Sequence, residues 1–69
     1  MILASFTVKF KDGSLFEIEA IAYSKSQAEK VVKDYCNTFP DSFEIKSVRL
    51  NGSRKIVLPS VTGVHEVKV

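Results

Sequence analysis

"ILASFTVKF" (residues 2–10), "KDGS" (residues 11–14) and "LFEIEAIA" (residues 15–22) together decide the fold class. Ala4, Phe6, Val8 and Phe10 alternate with Ser5, Thr7 and Lys9, the period-two pattern of a strand with one buried face. In the returning segment Phe16, Ile18 and Ala20 fall on one side, and Glu17 and Glu19 on the other. Between the two, Asp12-Gly13 offers the positive φ of a tight turn, which glycine adopts without a Cβ clash. The reading is an antiparallel hairpin whose apolar face needs a cover.

The next segment supplies it. Ser24 is a natural N-cap, with Gln27 three residues on to complete a capping box; Ser26 with Glu29 is a second candidate. Ala28, Val31, Val32, Tyr35, Cys36 and Phe39 recur at helical spacing, opposite Lys25, Glu29, Lys30, Lys33 and Asp34. Asn37 and then Pro40 end the helix. "FEIKSVRL" (residues 43–50) reads as a third strand with a broken phase. Phe43 and Ile45 share one face, Val48 and Leu50 the other. A bulge near Lys46-Ser47 would bring all four inward; a strand buried on both faces is the alternative. Asn51-Gly52 predicts a second hairpin turn into "RKIVLP" (residues 54–59), where Pro59 stops the strand or puts it at an edge. After "SVTG" (residues 60–63), "VHEVKV" (residues 64–69) makes a short final strand. The expectation is one α+β domain over residues 1–69. Its single amphipathic helix packs on a four- to five-stranded, mainly antiparallel sheet in the order ββαββ(β).

Size and composition restrict function. A chain of 69 residues hides only about 60% of its unfolded surface, which leaves few side chains for a deep catalytic pocket. The formal net charge of +2 leaves a nucleic-acid partner possible without implying one. One cysteine cannot form an internal disulfide and fits a reducing cytoplasm. "MILASF" (residues 1–6) lacks a basic n-region and a long apolar core, and no run approaches a membrane span. Cys36 on the apolar helix stripe reads as a core residue, and His65 as an exposed or structural one. No set of metal ligands or phosphate-cradling glycines is recognisable. The chain is therefore expected to be neither an enzyme nor a metal or cofactor binder.

Charge gives the strongest functional signal. Lys46, Arg49, Arg54 and Lys55 cluster around Asn51-Gly52, and Lys9 joins them if the first strand lies nearby. Guanidinium groups suit carboxylates and phosphates, so these five are candidate partner-binding residues. The plainer alternative is a turn carrying solvated charge. Phe6, Phe10 and Phe16 point inward, so no stacking platform for bases is evident. The sheet face away from the helix, with Leu15, Ile21 and either Ile45 or Val48 among Thr7, Lys9 and Glu17, is a second candidate surface. A monomer or a weak homodimer is expected.

Ile18-Glu19-Ala20, Ser24, Ala28, Cys36, Phe39 with Asp41, Ile45 with Ser47, and Asn51-Gly52 together form a pattern over residues 18–52. It resembles that of small phage-encoded anti-CRISPR proteins, in particular inhibitors of the type I-F surveillance complex. The resemblance implies a non-enzymatic inhibitor in the host bacterial cytoplasm. Such an inhibitor binds a protein subunit of an RNA-guided ribonucleoprotein and keeps target DNA from pairing with the guide. It assigns no individual contact residue. The competing expectation is a small nucleic-acid-binding module using the basic residues directly, with an adaptor or structural domain behind both.

Overall fold

The computed structural model describes residues 1–40, 44–57 and 62–68. Its elements run β1 (Ile2–Phe10), β2 (Leu15–Ala22), α1 (Lys25–Cys36), β3 (Ile45–Lys55) and β4 (Gly63–Lys68). The strands form one sheet in the order β3-β1-β2-β4, every neighbouring pair antiparallel. This is the α+β arrangement expected from the sequence, at the four-stranded end of the range.

The β1–β2 turn closes where Asp12-Gly13 predicts. Gly13 sits at φ +93°, and its N–H donates to the Phe10 carbonyl while the Phe10 N–H donates to that of Ser14. One Asp12 carboxylate oxygen accepts from both the Ser14 N–H at 2.9 Å and the Ser14 hydroxyl at 2.6 Å. Those bonds favour the ionised form and hold the Asp12 carboxyl below its usual pKa. Helix α1 starts at the Ser24 cap, whose hydroxyl accepts from the Gln27 N–H at 3.2 Å. The Gln27 side chain reaches back one residue further than the usual box, to the Tyr23 N–H at 2.8 Å. At the other end Asn37 caps in the right-handed region, and the Thr38 hydroxyl donates to the Tyr35 carbonyl at 2.7 Å. Glu29 and Lys33 pair across one helical turn at 3.7 Å.

The core lies between α1 and one sheet face. Ala4, Phe6, Val8 and Phe10 from β1, Ile18, Ala20 and Ala22 from β2, and Ala28, Val32 and Cys36 from α1 are all buried in one cluster. Phe10 meets Phe16 edge-on at 5.2 Å between ring centroids, and Phe39 lies 5.8 Å from both. Fully burying each large apolar side chain contributes roughly 1.5–3 kcal/mol.

The broken phase of the third strand resolves as a bulge. Lys9 pairs with Ser47 but Phe10 pairs with Ile45, so Lys46 is the extra residue. Ile45, Val48 and Leu50 consequently stand opposite Phe10, Val8 and Phe6 on the helix-facing side. Neither Ile45 nor Val48 reaches the open face. Phe43 and Pro59 lie outside the described residues.

The second hairpin is not formed. Asn51-Gly52 lies inside β3, which runs unbroken from Ile45 to Lys55 along β1. A type I′ turn needs φ above zero at both central residues; Asn51 and Gly52 are not among the residues with positive φ. Tertiary pairing overrides the local preference because β1 would otherwise leave a row of N–H and C=O groups unpaired beside the core. A second bulge absorbs the Asn-Gly pair: Ser5 faces Gly52 and Phe6 faces Leu50, with Asn51 between them.

Glycine substitution distinguishes the two sites. Gly13→Ala is expected to lower stability by about 1 kcal/mol or more, because its φ is positive. Gly52→Ala is expected to change stability little, since a Cβ there meets nothing within 4 Å. Urea unfolding of the two variants checks this. A Gly52→Ala loss equal to that of Gly13→Ala is the signature of a turn at 51–52, not a strand.

Candidate binding face

Helix α1 covers one side of the sheet, and the register assigns the residues of the other. Across β3, β1, β2 and β4 in turn, one row reads Arg49, Thr7, Glu17, Lys68, and the next Gly52, Ser5, Glu19, Glu66. A further row reads Arg54, Leu3, Ile21, Gly63, and at the opposite end Ser47, Lys9 and Leu15 complete the face. The rows are formed by direct cross-strand partners, whose side chains share one face.

Two of these residues are apolar and closed off. Leu3 and Ile21, paired side by side away from the helix, are 7% and 6% exposed. Leu15, by contrast, is 54% exposed. The middle of the face is polar and tied together: the Asn51 side-chain amide donates to the Thr7 hydroxyl at 2.8 Å, across from the β3 bulge to β1. Because Gly52 and Ser5 are small, the surface dips there. The shallow depression of about 230 Å³ is lined by Leu3, Ser5, Glu19, Gly52, Ser53 and Arg54.

The five basic candidates do not act as one cluster. Lys9, Arg49 and Arg54 share the open face. Lys55 pairs with Ile2 in the helix-facing phase, and Lys46 is the extra residue of the first bulge. All five are exposed. Arg49 and Arg54 lie two rows apart, roughly 13 Å along the strand, and neither has an ion-pair partner among the described residues.

Sequence reading placed Glu17 on this face and Glu19 in the same outward phase, but did not bring them or Glu66 beside the arginines. Glu17 and Glu19 on β2 and Glu66 on β4 stand across β1 from the arginines, with Lys68 set 3.9 Å from Glu66. Arg49 and Glu17 both flank Thr7, which places their strands about 10 Å apart. The face is therefore divided, cationic over β3 and β1 and mainly anionic over β2 and β4. The outward phase of Glu17 and Glu19 was legible; their position beside the arginines depends on strand order.

The other reactive candidates are placed elsewhere. Cys36 is 2% exposed within the core, and burial pushes its thiol pKa up, away from the thiolate form that reacts. Cys36→Ser is expected to cost on the order of 1–3 kcal/mol, because a hydroxyl enters an apolar site. Native Cys36 is expected to resist thiol reagents until the fold opens. Rapid labelling of the folded protein by a thiol-reactive dye contradicts that placement. His65 is exposed on the edge strand β4. Lys11 and Glu44 form an exposed ion pair at 2.8 Å beside the first turn, which raises the lysine pKa and lowers the glutamate's through their hydrogen bond. No group of three or more potential metal ligands occurs among the described residues, and no helix there is long and apolar enough to cross a membrane.

Comparison with known protein families, curated proteins and solved structures finds no match.

Proposed function

We propose that this protein is a small non-enzymatic binding protein, encoded by a phage or mobile element, that inhibits a host RNA-guided surveillance complex. In this reading the open sheet face seats on a protein subunit of that complex and keeps target DNA from binding. The observation that carries the binding role is the division of charge across the exposed part of the sheet face away from the helix. Arg49 and Arg54 offer planar, multidentate donors to carboxylates, while Glu17 and Glu19, with Glu66 beside its Lys68 contact, present carboxylates to cations of the partner. A partner of matched, alternating charge fits both halves, and a folded protein surface supplies that pattern. A nucleic-acid backbone laid across the face meets three carboxylates, which disfavours direct phosphate binding. The choice of an RNA-guided complex comes from the sequence resemblance to type I-F inhibitors. Lys9 contributes to the cationic half, whereas Lys46 and Lys55 serve solubility or a peripheral contact.

Titration of the protein against an assembled type I-F complex, and separately against naked DNA and RNA, tests the proposal. Tight binding to the complex with weak binding to both free nucleic acids is expected. Direct phosphate recognition through three contacts would instead give a log–log salt slope of roughly −2 to −3 on naked nucleic acid. Binding to the naked strands as tight as to the complex replaces the inhibitor reading with a nucleic-acid module; binding to none of them removes the proposed partner.

A further inference from the structure

With its turn role gone, Asn51-Gly52 has another chemistry. We propose that Asn51 is a site of spontaneous deamidation, that the Thr7 hydrogen bond restrains the reaction, and that the product changes the charge of the binding face.

In the reaction, the Gly52 backbone nitrogen gives its proton to hydroxide and attacks the Asn51 side-chain carbonyl carbon. The bond to the side-chain nitrogen breaks and ammonia leaves, closing a five-membered succinimide. Water then opens either ring C–N bond, giving aspartate or isoaspartate at position 51. No oxidant or reductant is needed; hydroxide and water are the co-reactants.

The local structure meets each requirement. Glycine on the C-terminal side leaves the attacking nitrogen unshielded, and the space where a Cβ would project from Gly52 is empty to 4 Å. Asn51 is exposed, and the register passes over it between the Ser5–Gly52 and Phe6–Leu50 pairs. A bulge disrupts the regular extended ladder, which otherwise keeps the two groups apart. Strand β3 is also an edge strand, where local opening costs least. Against these stands one restraint, the Asn51 amide donating to the Thr7 hydroxyl at 2.8 Å. Holding the carboxamide on β1 removes the side-chain rotation that ring closure requires.

Aspartate at position 51 keeps the contact by reversing it, because the Thr7 hydroxyl then donates to a carboxylate. The new negative charge sits on β3 between Arg49 and Arg54 and weakens the cationic half of the face. Isoaspartate lengthens the chain by a methylene where the bulge already accommodates an extra residue. The effect on binding rests on the proposed use of this face; the modification itself does not.

The folded protein is incubated for days at neutral and mildly alkaline pH, then digested and examined by mass spectrometry for replacement of the amide nitrogen by oxygen. Modification is expected at Asn51, faster at the higher pH, with Asn37 (followed by Thr38) as internal reference. Gly52→Ala, which the open space tolerates, should remove most of it. Thr7→Val should accelerate it severalfold at Asn51 without accelerating Asn37, the control for general loosening. Asn51 that stays intact in the folded protein while the urea-unfolded chain deamidates overturns the proposal. So does a Thr7→Val rate equal to wild type, or one that rises equally at Asn37. Asn51→Asp, titrated against the same complex, reads the binding consequence separately from the chemistry.

Discussion

Phe10→Ala is expected to leave the chain largely unfolded at physiological temperature. Phe10 is fully buried, lies on a central strand, and packs against both Phe16 and Phe39. Removing a buried phenyl ring costs about 3–5 kcal/mol, part lost transfer energy and part residual cavity. A core of this size supplies about the same in total, so nothing is left to hold β1 against the helix. Far-UV circular dichroism and urea titration check the outcome. Phe10→Leu, which refills most of the volume, should fold with a lowered midpoint. A cooperative, near-native transition for the alanine variant contradicts the aromatic cluster as the anchor of the fold.

The Arg49→Glu/Arg54→Glu double variant is expected to fold normally and to lose partner binding by about a hundredfold or more, since like charges brought together cost several kcal/mol. The stability expectation follows from exposure, because solvated charges contribute little to folding. Lys55→Glu supplies the contrast. It reverses one cationic charge on the same strand where the double variant reverses two, but on the side phased with Ile2, and is expected to alter affinity only slightly. Binding titrations with melting curves on the same samples separate the two. A Lys55→Glu loss in binding free energy about half that of the double variant would indicate a response to net charge and not to the sheet face.

The hairpin, the capped helix and the buried cysteine were legible because apolar side chains report phase. Ile45, Val48 and Leu50 marked the third strand's phase break but left a bulge near Lys46 and a strand buried on both faces open; the register decides for the bulge. The second bulge left no such mark. Beyond Leu50 the helix-facing positions are Ser53 and Lys55, opposite Ala4 and Ile2, and neither is apolar enough to reveal a shift. Asn51-Gly52 carried instead the local signature of a tight turn. The energy that overrode it, pairing along the length of β1, depends on partners 35 to 53 residues apart. That one displacement dispersed the basic cluster, moving Lys55 to the other face and setting the arginines across from Glu17 and Glu19. Strand order, which created the divided face, follows from which edges α1 and the chain leave open and has no local sequence mark.

Chemical-shift mapping of isotopically labelled protein, on stepwise addition of the surveillance complex or its isolated subunit, tests most directly whether the open sheet face is the binding element. Perturbation and broadening are predicted at Ser5, Thr7, Lys9, Glu17, Glu19, Arg49 and Arg54, with the exposed side of α1 around Lys30 and Lys33 unaffected beyond the general loss of signal expected on binding a large particle. Changes concentrated on α1, with the sheet residues undisturbed, would contradict the account.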